Sequence, residues 1–297
     1  MFKPAFSTVA CPEWTLKQVA ERAIANGFEA VELRTFGDAS TRLACDPSLT
    51  SDNKVRSMFM ERGVEVLCLG TSVAFDAPIF PPVMGVFCQS AERSIREGKR
   101  AVDLAVRLEC PYVRVFGFEY QAREPRPAAL KRIGDRLSAV LDHADKSGVR
   151  IVIENGGSFP TSAELCELMD RVQHPLLGVS YSLATGHAAG EPPESAVGAL
   201  GDRLWVARIK DARAGRPAFL GEGEVPCSRF AAALVQSEFD GPLVFEWDRA
   251  WIPGLAPAED AIRTAAVAMY SWLGGKTSSG TPGEMSGAVR VASGIRR

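Results

Sequence analysis

The sequence has 297 residues, of which 46% are hydrophobic and 24% charged, values that are ordinary for a globular protein. The formal net charge is −2 and no basic stripe is present, which argues against a nucleic-acid partner. The N-terminus lacks the apolar core of a signal peptide, and no run is long enough to span a bilayer. The seven cysteines are scattered without a Cys-x-x-Cys pair, so we expect reduced thiols and a cytoplasmic location.

Short apolar segments alternate with segments of helical periodicity along the chain. The predicted strands are residues 2–9, 29–33, 64–69, 112–116, 150–153, 176–181, 204–208 and 242–246. The predicted helices are residues 14–26, 51–61, 90–108, 127–146, 162–172, 194–200, 227–236 and 257–273. Residues 274–297 are rich in Gly, Ser and Thr without an apolar period, so we expect a disordered tail.

Eight strand–helix repeats predict a parallel sheet that closes into a single α/β domain, a (β/α)8 TIM barrel over residues 1–273. An open doubly wound sheet is the alternative architecture. Such a sheet normally has a glycine-rich turn after its first strand, and Val9-Ala-Cys-Pro-Glu13 is not such a turn.

The most informative stretch is Arg150-Ile-Val-Ile-Glu-Asn-Gly-Gly157. Its β-branched run predicts a buried strand, and Glu154 stands at the carboxyl end of that strand. Gly156 and Gly157 allow a sharp turn and leave room above it. Ligands of parallel α/β proteins bind at the carboxyl ends of the strands, so Glu154 is a candidate functional residue. The alternative is an acid that merely starts a surface loop.

Other predicted strands also end in polar residues, and the barrel would gather them at one rim: Arg34, Arg114, Ser182, Arg208 and Glu246, with Lys210 and Asp211 just beyond. Glu154 and Glu246 would face each other as an acid and a base.

Structural roles are the alternatives for several of these residues. Glu246 would then pair with Arg249, Lys210 and Asp211 would form a solvated turn, and Arg34 would pair with Glu32 or Asp38. Trp247 and Trp251 either stack on a substrate or cap the core.

From about Ser7 to Leu273 the chain resembles the sugar-phosphate isomerase/epimerase family of xylose-isomerase-like TIM barrels. Six short motifs carry the resemblance in the right order: Ala30-Val-Glu-Leu-Arg34, Arg114-Val-Phe-Gly117, Ile153-Glu-Asn155, Ile209-Lys-Asp211, Leu220-Gly-Glu-Gly-Glu-Val225 and Phe245-Glu-Trp247. Each motif is weak alone, and the ordered set is fairly specific for the family.

The resemblance implies a divalent cation, often Mn²⁺ or Mg²⁺, held by Glu, Asp, His and Glu after strands five to eight. Glu154 and Glu246 match the two Glu positions, but the Asp position falls on Ser182 and the His position on Arg208. Thr185 stands where members often carry His or Asn, and Gly156 replaces a further common His.

Two Glu, a Ser and an Arg are poor ligands for a hard cation, because the guanidinium cannot be deprotonated. We therefore expect no metal cofactor. If a metal does bind, Glu154 and Glu246 are its expected ligands. His187 is a surface residue on the simplest interpretation, and a ligand role is the alternative.

The resemblance implies an isomerase or epimerase that moves a proton next to a carbonyl of a sugar, polyol or related small polar substrate. Glu154, Glu246 and Arg208 would be catalytic. The expected substrate-binding residues are Arg34, Arg114, Ser182, Thr185, His187, Lys210, Asp211 and Trp247.

A dehydratase or lyase that uses the same proton abstraction is one alternative, and a non-catalytic barrel that binds a ligand or partner is another. A metal-dependent endonuclease is disfavoured because the chain has only three histidines. We expect a small-molecule partner, no nucleic acid and no membrane, and we leave a homo-oligomer open.

Overall fold

The computed structural model describes residues 1–37, 43–77, 84–120, 122 and 124–274, with the backbone alone for residues 84–92. Eight parallel strands close into a barrel, which confirms the predicted fold class. Around the barrel they follow the order β1-β10-β7-β6-β5-β4-β3-β2. Their bounds are β1 Lys3–Ser7, β2 Ala30–Arg34, β3 Glu65–Ala74, β4 Tyr112–Phe116, β5 Arg150–Glu154, β6 Leu177–Ser182, β7 Leu204–Ile209 and β10 Pro242–Phe245.

Helices separate these strands and cover the outside of the barrel: α1 Leu16–Ala25, α2 Asp52–Met60, α3 Met84–Leu108, α4 Arg126–Ala144, α5 Ser162–Val172, α6 Leu183–Ala188, α7 Pro193–Leu200, α8 Cys227–Gln236 and α9 Ala258–Gly274. The local sequence fixes several ends. Helix α1 begins with a capping box between Thr15 and Gln18, and Gly27 adopts a φ of 82° just after its end. The tail that the sequence analysis predicts to be disordered is residues 274–297. Of these, residues 275–297 lie outside the described part of the chain.

Strand β3 continues to Ala74, five residues beyond its predicted end at residue 69, and three further elements differ from the sequence prediction. Helix α3 begins at Met84 instead of residue 90, and the short helix α6 was not predicted. The third is a small antiparallel hairpin, β8 Asp211–Arg213 and β9 Arg216–Ala218. Its turn places Ala214 at φ 49° and Gly215 at φ 72°. The hairpin was missed because Ala-Gly is a weaker turn signal than Asn-Gly or Asp-Gly.

The interior of the barrel has an apolar floor. The floor is a small buried cluster of Ala5, Ala30, Leu67, Cys68, Val152, Val206 and Val244. Side chains two residues further along each strand point to the same face. That step leads from Val152 to Glu154 and from Val206 to Arg208, and therefore from the floor to a polar layer at the carboxyl ends of the strands.

The larger apolar cluster lies between the barrel and its helices and includes Phe6, Leu33, Val115, Ile153 and Phe245. Burying these side chains on the outer face is the main stabilising contribution, since each large apolar side chain contributes roughly 1.5–3 kcal/mol. In the described part of the chain, no helix is both long enough and apolar enough to cross a membrane.

Candidate active site

Arg208 lies at the centre of the polar layer, with a side chain that has 0% exposure. Its Nη1 and Nη2 donate to the two carboxylate oxygens of Glu32, at 2.6 and 2.9 Å. Ser7 Oγ donates to Oε1 of the same carboxylate at 2.8 Å. Glu32 is therefore a fully bonded, fully buried partner that fixes the plane of the guanidinium.

The outer edge of the Arg208 guanidinium faces the two glutamates that the sequence singled out. Nε lies 3.2 Å from Glu154 Oε2, and Nη2 donates to Glu246 Oε1. Nε makes no hydrogen bond within the described residues, so its contact with Glu154 is an ionic one without a directed hydrogen bond. The side chains of Glu154 and Glu246 keep 10% and 12% exposure, so these carboxylates are the part of the cluster that solvent can reach.

A second buried cation, Arg114 on β4, also contacts Glu154, with Nη1 donating to Oε2 at 2.8 Å. Gly70 on β3 leaves room for the side chains of Arg114 and Glu32. A Cβ atom at Gly70 would stand 2.9 Å from Glu32 Oε1 and 3.0 Å from Arg114 Nη2. The absence of a side chain at Gly70 is thus a requirement of the cluster.

The surroundings shift the pKa values of the three glutamates in different directions. Burial alone would raise the pKa of Glu32, but the charge and hydrogen bonds of Arg208 outweigh burial and hold that pKa well below its usual range. Burial likewise opposes ionisation of Glu246, yet Arg208 and Lys210 lower its pKa. For Glu154, burial is the largest effect and raises its pKa despite Arg208 and Arg114. The surroundings therefore favour ionisation of Glu246 and disfavour ionisation of Glu154, relative to an ordinary glutamate.

The Arg34 side chain lies beside this cluster at the end of β2. It does not pair with Glu32, which is bonded to Arg208, and Asp38, the other expected partner, lies outside the described residues. Arg34 Nη2 donates to Ser72 Oγ, and the guanidinium lies 5.9 Å from the ring centroid of Phe36 and 5.7 Å from that of Trp251.

Ser182 ends β6 next to Arg208, its register partner on β7. Asn155 holds this strand end in place: its Oδ1 accepts from Ser182 N at 2.6 Å, and its Nδ2 donates to Ser182 O at 3.1 Å. Thr185 Oγ1 donates to Ser182 Oγ at 3.2 Å. His187 lies further along α6 with an exposed side chain. The structure thus brings Ser182 and Thr185 together at the rim, while His187 faces solvent.

Lys210 and Asp211 follow β7 and have different surroundings. Lys210 Nζ pairs with Asp248 at 2.9 Å, and its side chain is 33% exposed. Burial opposes the charge of Lys210, but Glu246 and Asp248 outweigh it and raise the pKa. Asp211 is buried, and its carboxylate accepts from the backbone N–H groups of Ala212, Gly221, Gly223 and Val225. Asp211 therefore fixes the loop that follows the hairpin.

The two tryptophans that follow β10 occupy different positions. Trp247 is 4% exposed, packs 5.5 Å from Phe219 and donates from Nε1 to Ala256 O at 3.0 Å. Trp251 is 52% exposed and lies over Arg34. Arg249 forms an ion pair with Glu13 at 3.0 Å, whereas Glu246 forms an ion pair with Arg208. The alternative pairing of Glu246 with Arg249 is therefore not formed.

The residues at the family's cation position do not fit a divalent metal. A buried guanidinium occupies the space between the carboxylates, and a cation would compete with it for the same oxygens. Ser182 adds a hydroxyl in place of a third negative charge. Among the residues that the structure describes, no three His, Cys, Asp or Glu side chains are arranged to hold a metal ion.

Sequence reasoning missed Glu32, Gly70, Ser72 and Asp248. Glu32 was considered only as a partner for Arg34. Strand alternation was the available signal, because Ala30, Glu32 and Arg34 share one face of β2 and Ala30 belongs to the barrel floor. No sequence signal identified Gly70, whose role depends on the packing of side chains from three strands.

Several solved structures share this fold. The IolI protein, solved with a bound zinc atom, has a TM-score of 0.76 at 20% identity and matches 92% of this chain and 98% of its own. A D-allulose 3-epimerase from Methylomonas sp. has a TM-score of 0.73 at 18% identity, with 91% and 98% covered. AsbF, a probable 3-DHS dehydratase from Bacillus anthracis, has a TM-score of 0.71 at 15% identity, with 91% and 99% covered. At these identities the likeness is one of fold.

No curated protein sequence gives a significant match. The model of one family, described as the xylose isomerase-like TIM barrel, does match, and it covers residues 20–272. The match spans most of the chain, as the ordered motifs at the strand ends predicted. This chain belongs to the xylose isomerase-like TIM barrel family.

Proposed function

We propose that the protein is an isomerase or epimerase that transfers a proton at a carbon next to a carbonyl group of a sugar, polyol or related small polar substrate, and that it needs no divalent metal. The observation that carries the proposal is the position of Arg208, fully buried between Glu154 and Glu246. The side chains of these two carboxylates keep 10% and 12% exposure, and they stand at the rim where barrels of this type bind ligands.

The opposite pKa shifts assign the roles of the two glutamates. Glu246, whose pKa is lowered, is the base that removes the proton from the carbon, and the electron pair of the C–H bond moves toward the carbonyl oxygen. Glu154, whose pKa is raised, is the acid that returns a proton to carbon from its side of the substrate. An acid and a base in the correct starting states contribute about 10²–10⁴-fold each to such a reaction.

The developing negative charge on oxygen requires a cation that a substrate can reach. The Arg208 side chain has no exposed surface, so it cannot contact the substrate directly. Its charge affects the reaction by stabilising the carboxylates of Glu154 and Glu246. Lys210 is 33% exposed and interacts electrostatically with both Glu246 and Glu154. We therefore assign to Lys210 the contact with the carbonyl oxygen.

A non-catalytic ligand-binding barrel is the second candidate. Arg208 fills the space between the carboxylates, which retain only 10% and 12% exposure. A purely structural ion cluster would have the same appearance.

Proton exchange with solvent separates the two candidates. The purified protein is incubated in D₂O with five- and six-carbon ketoses, and loss of the C–H signal next to the carbonyl is followed by NMR, which also reveals any loss of water from the substrate. We expect exchange in the wild type, a decrease of about 10²-fold or more in Glu246→Gln, and no change in the exposed-site control Glu65→Gln. Binding without exchange in the wild type would favour the non-catalytic barrel. Activity that EDTA abolishes and Mn²⁺ restores would contradict the metal-free chemistry.

A further inference from the structure

Arg34 is a buried cation without an ion-pair partner among the described residues. The residue is 6% exposed, and its Nη2 donates to Ser72 Oγ. Its Nη1 is buried and has no hydrogen-bond partner in the described part of the chain. Because a buried, unpaired guanidinium is energetically unfavourable, such a group is typical of a site that an anion completes.

The surroundings of Arg34 allow a ligand to reach it. Trp251 lies over the guanidinium and packs against Phe36 with ring centroids 5.6 Å apart, yet its side chain is 52% exposed. Movement of this half-exposed ring would open a route to the Arg34 guanidinium. Ser72, which accepts from Arg34 Nη2, is exposed to solvent and also lines a cavity of about 580 Å³. A ligand can therefore reach the Ser72 hydroxyl beside Arg34 from solvent.

Arg34 belongs electrostatically to the catalytic cluster. Burial and repulsion by Arg114 lower its pKa to about 10, while Glu32, Glu154 and Glu246 act in the opposite direction. Arg34 therefore remains charged at neutral pH. The cluster combines the cations Arg34, Arg114, Arg208 and Lys210 with the carboxylates of Glu32, Glu154, Glu246 and Asp248. Among the described residues Arg34 is the cation of this cluster that has no carboxylate partner, so its charge is available to a negatively charged ligand.

Building on the proposed function, we infer that Arg34 and Ser72 form a carboxylate subsite and that the substrate is a sugar acid with a carbonyl group and one carboxylate. One carboxylate oxygen accepts from the unpartnered Nη1 of Arg34. The other accepts from the Ser72 hydroxyl, which already accepts from Arg34 Nη2 and has its own proton to donate. A phosphate group fits this arrangement less well, because its third terminal oxygen would find no further donor at Arg34 Nη1 and the Ser72 hydroxyl.

The test is a calorimetric comparison of three six-carbon probes. 2-Keto-D-gluconate and D-fructose differ at C1, which is a carboxylate in the first and a hydroxymethyl group in the second, and D-fructose 1-phosphate carries a phosphate there. We expect 2-keto-D-gluconate to bind about 10-fold or more tightly than D-fructose, and more tightly than the phosphate ester. Equal binding of the first two probes, or tightest binding of D-fructose 1-phosphate, would overturn the inference.

Variants locate the effect. Arg34→Met should remove the preference for the keto acid, Ser72→Ala should reduce it, and the control Arg229→Met, at an exposed arginine, should leave it intact. A preference that survives in both Arg34→Met and Ser72→Ala would overturn the assignment. Ser72 is exposed, so its variant keeps the test valid if Arg34→Met does not fold. The experiment measures binding, so its outcome does not depend on turnover. A protein that prefers the keto acid but catalyses no proton exchange contradicts only the proposed function. A protein that catalyses exchange without this preference contradicts only the carboxylate subsite.

Discussion

Arg208 and Glu32, 176 residues apart in the chain, form a two-point ion pair with N–O distances of 2.6 and 2.9 Å, and neither side chain is exposed to solvent. The pair joins β2 to β7 across the barrel interior. It also holds the guanidinium at a fixed height, so that its remaining edge faces Glu154 and Glu246. Glu32 is thus a positioning residue for the candidate catalytic pair.

Replacing Glu32 by Gln should destabilise the protein by about 3 kcal/mol or more, because a buried charge on Arg208 then loses its two-point partner. The measurement is the free energy of unfolding in urea at pH 7. The matched control is Glu65→Gln, which removes the surface pair with Lys3, where the two side chains are 43% and 46% exposed. That change should alter stability by less than about 1 kcal/mol. Equal effects of the two variants would contradict a special role for Glu32.

The pH dependence of stability should differ in sign between Glu32 and Glu154. The lowered pKa of Glu32 adds stability above the pKa of the unfolded chain, about 4.3, and this is lost as the pH falls toward the folded pKa. The raised pKa of Glu154 has the opposite effect, since its contribution is complete below about 4.3 and is lost as the pH rises through the folded pKa.

Urea unfolding between pH 3 and pH 9 checks both signs. The stability deficit of Glu32→Gln should grow as the pH rises from acid to neutral values. Glu154→Gln should improve relative to the wild type as the pH rises, because Gln does not ionise. If the unfolding free energies of the two variants changed with pH in the same direction relative to the wild type, the predicted opposite shifts of the Glu32 and Glu154 pKa values would be wrong.

The sequence was sufficient to predict the fold because short, largely apolar segments alternate with amphipathic helices along the chain. Seven of the eight barrel strands were predicted to within two residues of their observed bounds, and β3 continues five residues beyond its predicted end. Glu154, Arg208 and Glu246 were predicted to meet because a closed parallel barrel brings the carboxyl ends of all strands to one rim. For these three residues, the position at the end of a strand is enough to predict that they lie at the same rim.

The partners of the other polar residues were beyond sequence reasoning. Asp211 and Lys210 are neighbours in sequence, yet one binds backbone N–H groups and the other binds Asp248. The choice of Glu32 as the partner of Arg208 depends on how far each side chain reaches across the barrel. Such distances depend on the geometry and side-chain packing of the barrel, and the hydrophobic periodicity of the sequence gives no information about them.

Gly70→Ala tests the packing requirement at β3. The new Cβ would stand 2.9 Å from Glu32 Oε1 and 3.0 Å from Arg114 Nη2, and both side chains are held by ion pairs. We expect a loss of about 1–3 kcal/mol in unfolding free energy from overpacking. The control is Gly198→Ala in α7, where a Cβ atom meets nothing within 4 Å. This helical site should be neutral, or more stable by up to about 1 kcal/mol. A neutral Gly70→Ala would mean that the cluster adapts freely.

The double change Ser182→Asp with Arg208→His tests the substitution of a guanidinium for a metal. It supplies the carboxylate and imidazole that the family's cation site uses, beside Glu154 and Glu246. We expect the double variant to bind Mn²⁺, measured by the loss of the free-ion EPR signal, and the wild type to leave that signal unchanged. Ser182→Asp alone should fail, since Arg208 still occupies the space. Stoichiometric Mn²⁺ binding by the wild type would contradict the metal-free proposal.

Arg208→Met tests the central residue directly, because it keeps roughly the same volume and deletes the charge. Glu32, Glu154 and Glu246 would then face one another without the cation that separates them, and at least one would have to take up a proton. We expect a loss of about 3 kcal/mol in unfolding free energy at pH 7, a smaller loss at acid pH, and no proton exchange on ketoses. Added Mn²⁺ should not restore full function, because Ser182 supplies no carboxylate.

The double variant Arg208→Met with Glu32→Gln should lose less unfolding free energy than the sum of the two single losses, since both changes remove the same ion pair. A parent-like stability and activity in Arg208→Met would show that the guanidinium has no part in the site.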